Sequence, residues 1–122
     1  MTASGGLRSA YHDAMSVRRE LRGATAPGLS GSQEFRYRQL SQDIDEGRDP
    51  ARTSPANRRA FLEQARYDLA WASDGLVRNA TLPGQFSSNE RERYIQETTN
   101  RQYLDWYRRT SKRYAAAQRY WG

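Results

Sequence analysis

The chain has 122 residues, one small domain's worth, and only sixteen of them are Leu, Ile, Val or Phe; its aliphatic core is therefore thin, and eight Tyr and three Trp must supply part of it. It has no Cys, which excludes a disulfide framework and a thiolate metal site. The net charge is +6, carried by nineteen Arg and one Lys, a bias that a GC-rich genome explains as well as a need for planar, bidentate guanidinium groups does.

The first residues, MTASGGLRSAYHDAM, lack the apolar run of a signal peptide. No stretch approaches the eighteen or so apolar residues that a membrane span requires. The expectation is a soluble chain without membrane contact, not exported through a signal peptide, and located in a virion or the host cytoplasm. A first helix is expected over 7–22, with Leu7, Tyr11, Ala14, Met15, Arg18 and Leu21 near one face and Gly23 to end it. Residues 1–6 and the loop at 23–33 are expected to be mobile until bound. His12-Asp13 on this helix reads as a surface pair rather than a catalytic dyad.

The second helix is expected over 33–46, starting after Ser32, with Phe35, Tyr37, Leu40 and Ile44 apolar and Gly47 as its stop. The segment DIDEGRD at 43–49 has the acid density of a calcium loop. Its glycine is fifth rather than sixth, however, and Ser54 stands where the closing Glu belongs. It reads instead as a solvated helix end, where the acids oppose the dipole. That makes it a negative patch suited to a basic partner, including the Arg-rich tail of a neighbouring copy.

The third helix has the clearest start: Ser54 as N-cap and Pro55 at the first helical position, where its missing N–H costs nothing. Its buried stripe would be Phe61, Leu62, Ala65, Leu69, Ala72 and Leu76, with the helix closing near Gly75. A fourth helix is expected from a Ser87/Glu90 capping box, uninterrupted by Gly or Pro until Gly122. If continuous it is roughly 50 Å long at 1.5 Å per residue, more than a small domain spans. The fold expected is all-α: a small bundle of about four helices, with a body over 1–86 and a long, protruding docking helix over 87–122.

The last acid is Asp105, and Arg108, Arg109, Lys112, Arg113 and Arg119 follow it unopposed. Tyr103, Tyr107, Thr110, Tyr114, Ala117 and Trp121 recur at alternating spacings of four and three, a continuous helical seam with Trp106 and Tyr120 beside it. Three uses fit this tail. It could close the protein's own core. It could dock through Tyr103, Trp106, Tyr107, Tyr114, Tyr120 and Trp121 on a partner, since Tyr, Trp and Arg are enriched at interface centres. Or its five cations could neutralise phosphates while its rings stack on bases.

No phosphate loop, nucleophile elbow or metal-ligand spacing is present. The expectation is therefore a non-enzyme with no cofactor, metal site or small-molecule substrate. The first choice is a structural or assembly subunit of a large complex, with a virion head–tail connector or adaptor as the preferred instance. Its partners would be proteins, including copies of itself in a homo-oligomeric ring, and truncation after Asp105 should leave a folded body that no longer assembles. The alternative is a nucleic-acid-binding protein using the same tail.

Overall fold

The computed structural model describes residues 3–122, with side chains from Gly6 onward; the mobility expected for residues 1 and 2 lies outside the described residues. The fold is all-α. Four helices, α1 (Ala3–Glu20), α2 (Gly31–Asp45), α3 (Pro55–Asn79) and α4 (Glu90–Trp121), and no strand occur among the described residues.

Each helix starts and stops for a local reason. α1 begins at Ala3, ahead of the expected Leu7, and buries Leu7 and Ala14 two turns apart on one face, with Leu21 buried just past its end. α2 begins two residues before the expected start, because Ser30 rather than Ser32 is its cap. The Ser30 hydroxyl accepts the Gln33 N–H at 3.3 Å, and the Gln33 carboxamide accepts the Ser30 N–H at 3.1 Å, a reciprocal capping box. α2 ends at Asp45, and Gly47 just beyond it has a φ of 76° that suits glycine. The Gly47 N–H reaches the Ile44 carbonyl at 3.1 Å, and the Arg48 N–H reaches that of Asp43 at 2.8 Å. This is the Schellman closure, which satisfies carbonyls that the helix would leave open.

α3 starts as expected, the Ser54 hydroxyl accepting the Asn57 N–H at 3.2 Å with Pro55 first in the helix. It does not close near Gly75 but runs on to Asn79. Gly75 is a site of close approach rather than a stop. A Cβ there would lie 3.0 Å from a Tyr103 ring carbon and 3.2 Å from one of Trp106. α4 is capped by Asn89, not Ser87: the Asn89 carboxamide oxygen accepts the Glu92 N–H at 3.0 Å. The Ser87 hydroxyl is used one step upstream, accepting the Asn89 N–H at 3.1 Å and donating to Glu92 at 2.7 Å. The weak helix formers at 97–100 and 110–111 do not interrupt α4.

The chain forms two compact units that are not consecutive stretches of sequence. The first takes the chain up to Arg22 together with Ala70–Arg108; the second takes Gly23–Leu69 and Arg109–Gly122. α3 and α4 thus each contribute to both. In the first unit the buried apolar residues are Leu7, Ala14, Leu21, Ala72, Leu76, Leu104 and Tyr107, with Ser73 and Asn100 buried among the polar ones. In the second, Leu40, Ile44, Phe61, Ala65, Ala116 and Ala117 form one core cluster, with Tyr37, Leu62, Tyr114 and Trp121 packed against it. Phe35, expected among the apolar positions of α2, is 62% exposed.

Candidate functional site

The tail residues expected to act on partners fall in both units. In the first, Tyr107 is buried and its hydroxyl donates to the Asp13 carboxylate. Asp13 therefore serves a tyrosine, while the adjacent His12 lies on the exposed side, edge-on to Tyr11 at 6.0 Å. Tyr103 and Trp106 are half-buried, their ring centres 6.1 Å apart, and they cover Gly75. Arg108 is exposed, with its guanidinium beside Gly6.

In the second unit the tail meets the acidic segment 43–49. Arg113 sets its fork on Asp45, with Nε at 3.0 Å and Nη2 at 2.5 Å from the two carboxylate oxygens. Asp45 beside it raises the guanidinium's pKa above its ordinary value. The Lys112 ammonium lies 3.5 Å from the Asp45 carbonyl. The Tyr120 hydroxyl donates to Asp49 at 2.6 Å, and Arg119 lies over the Tyr120 ring, 5.1 Å from its centre. Within the segment, Arg48 binds Asp43 at 3.1 Å and also pairs with Glu46. Gln42, and then Arg48, hold the Glu46 carboxyl below its usual range. The negative patch expected to await a partner is thus occupied by the chain's own tail.

The rest of the tail in this unit packs inward or points to solvent. Trp121 stands edge-on to Phe61 at 5.2 Å, and Tyr37 lies against the same ring at 4.8 Å. Tyr114 is half-buried against the core cluster, its hydroxyl accepting the Gln118 carboxamide N–H at 3.0 Å. Arg109 is exposed. The expected seam is real as a face, and within each unit it is turned towards that unit's own interior. Truncation after Asp105 would take Ala116 and Ala117 from the second unit's core and Trp121 from against it, so that cut is expected to destabilise the unit.

Three further features bear on the site. Tyr94 and Ile95, adjacent on the early turns of α4, are 66% and 57% exposed. The seam itself could have located them: carried backwards from Tyr103 it passes through Asn100 and Gln96, leaving 94 and 95 on other faces. A cavity of ≈ 320 Å³ is lined by Leu7, Pro83, Phe86, Asn100 and Leu104, with Glu97 and Arg101. The third is a groove of ≈ 430 Å³ in the second unit. Ile44, Ala115 and Ala116 contribute apolar surface to it, and Arg48, Lys112 and Arg119 contribute charge beside Tyr120.

Among the described residues no three of His, Asp and Glu gather where a metal could be held, and no helix is long and apolar enough to cross a membrane. No protein-family model matches the chain, and no curated protein or solved structure matches it either.

Proposed function

We propose that this chain is a non-enzymatic assembly subunit of a larger protein complex, docking through the Tyr94–Ile95 surface of α4. The observation that carries this reading is that adjacent pair of large, exposed apolar side chains on a protein whose core is short of them. Two neighbouring residues of this size held in water cost hydrophobic free energy that a partner surface recovers. The Tyr brings amphipathic area with little rotamer entropy to lose. A virion head–tail connector or adaptor, assembled as a ring of copies, is the instance this reading favours, by analogy of architecture: a small helical chain, a thin core and surface for neighbours.

The test is light scattering behind size-exclusion chromatography at low and high salt, with absorbance read at 260 and 280 nm. A discrete oligomer, free of nucleic acid and stable at high salt, is expected for the wild type. A Tyr94→Ser, Ile95→Ser variant with unchanged helical circular dichroism should lose it. A wild-type chain that stays a monomer at every concentration overturns the reading.

The groove beside Tyr120 favours a second reading, nucleic-acid binding, because three cations flank an exposed ring there. Arg48 and Arg113 of that neighbourhood already neutralise carboxylates, which weakens it. A monomer that carries nucleic acid at low salt and sheds it at high salt would decide for this alternative.

A further inference from the structure

Between Glu90 and Arg108 α4 lies wholly in the first unit, and most of its exposed side chains there are charged. Along one exposed stripe the order is Glu90, Arg93, Glu97, Arg101, Asp105 and Arg108, acid and base in strict alternation. At 3.6 residues per turn these six and Tyr94 fall within about a third of the helix circumference. Arg91 and Glu92, the remaining charges of this stretch, lie more than a quarter turn from the centre of the stripe. Among the described residues none of the six forms an ion pair.

The order has a second property: positions equidistant from residue 99 carry opposite charge. Glu97 mirrors Arg101, Arg93 mirrors Asp105, and Glu90 mirrors Arg108. A second α4 laid antiparallel about a twofold axis at that point presents its residues in reverse order. Each mirrored pair then becomes an acid facing a base, because in an isologous contact residue i meets j and j meets i. A partner of another kind would impose no such relation on this chain's own charges.

The same reversal carries Tyr94 to Leu104, the two being equally far from residue 99. Leu104 is one wall of the ≈ 320 Å³ cavity that Leu7, Pro83 and Phe86 also line, and Glu97 and Arg101 stand exposed at its edge. An apolar space of roughly 150 Å³ already takes up benzene, so this one has room for a phenol ring. The exposed Tyr94 and the open cavity are thus a knob and a hole at mirrored positions.

We infer that the exposed stripe of α4 over 90–108 is the contact face of a twofold dimer, packed antiparallel on the same stripe of a second copy, with each copy's Tyr94 seated in the other's cavity. The inference rests on the assembly reading above and names the partner for its Tyr94 half. Ile95, about 100° further round the helix, lies outside this contact. An isologous contact closes at two copies, so any larger assembly is built from dimers. The two buried rings supply the affinity, while the exposed ion pairs add little each and set direction and register.

The experiment uses full-length chains and exposed positions only. Glu97→Arg opposes base to base at the two central pairings, and Arg101→Glu opposes acid to acid. Each variant alone should therefore dimerise about tenfold or more weakly than wild type in sedimentation equilibrium. Mixed, with one of them mass-tagged, they face base to acid again, and native mass spectrometry should show the joint dimer in preference to either homodimer. The double variant Glu97→Arg, Arg101→Glu should return to wild-type affinity. Tyr94→Ala should weaken the dimer and Ile95→Ser should not.

A wild-type oligomer that both single variants form equally well, or a mixture no richer in the joint dimer than random pairing gives, overturns the twofold contact and leaves the assembly reading standing. Association that depends on Ile95 and not on Tyr94 does the same. A wild type that stays a monomer at every concentration removes both.

Discussion

In the first unit α4 adds to its apolar contacts hydrogen bonds that only particular side chains can make, whereas in the second it is held by apolar area with an ion pair on the outside. Asn100 shows the first mode. It is 6% exposed, and its carboxamide accepts the Thr81 N–H and donates to the Thr81 carbonyl, both at 2.8 Å. Tyr107 on Asp13 adds a second such peg. In the second unit Ala116 and Ala117 lie against Leu40, Ile44, Phe61 and Ala65, and Arg113–Asp45 sits at the surface. One helix with one continuous seam thus meets two kinds of receptor. The first unit should be sensitive to the identity of single polar groups, and the second to volume.

The largest expected effect tests the second half of that contrast. Phe61 is 1% exposed and touches both Tyr37 and Trp121. Phe61→Ala should destabilise the protein by about 3–5 kcal/mol, through lost transfer energy and the cavity left behind. Arg113→Ala, in the same unit, should cost no more than about 1 kcal/mol in urea denaturation. If the two losses came out equal, the surface pair would be carrying the unit and the contrast would fail.

Asn100→Ala tests the first half. It strands a donor and an acceptor of the Thr81 backbone, and the expected loss is about 1–3 kcal/mol. Asn100→Leu should do no better, because apolar volume cannot replace the two hydrogen bonds. Rescue by Leu would mean that the first unit, too, is governed by packing.

A smaller effect discriminates between two caps. Asn89→Ala should cost about 1 kcal/mol, while Ser87→Ala should cost less, since only Asn89 accepts a helical N–H in the first turn of α4. This also marks where the sequence could be read and where it could not. Ser54-Pro55 and Gly47 were legible because each has one structural use at a helix boundary. Ser30 against Ser32, and Asn89 against Ser87, were not, because two eligible caps stand two residues apart and the choice depends on which neighbour reciprocates. Gly75 misled for a related reason: a glycine that ends a helix and one that admits an aromatic pair look alike until Tyr103 and Trp106 are in place. The seam from Tyr103 to Trp121 was legible as a face, because periodicity reports which residues share a side. What covers that side is set by residues distant in sequence, Asp13 and Gly75 in one unit and Asp45 and Phe61 in the other.

The mildest test concerns a polar group inside the volume-governed unit. The Tyr37 hydroxyl donates to Asp68 at 2.5 Å, and Gln64 donates to the same carboxylate at 2.9 Å. Burial first, then the hydrogen bond to Asp68 and that residue's charge, push the Tyr37 phenol above its ordinary value. A phenol with a raised folded-state pKa contributes its stability in full below the unfolded value of about 10, and loses it as pH rises beyond that. The wild type should therefore show a urea midpoint that falls between pH 9 and pH 11. Tyr37→Phe should start slightly lower at pH 8, having lost one hydrogen bond, and then fall less steeply. The remaining tyrosines titrate in both chains, so the difference between the two curves isolates Tyr37. An alkaline limb of equal slope in the variant would show that this bond does not couple to folding. The second unit would then be held by apolar area even at the Tyr37–Asp68 contact.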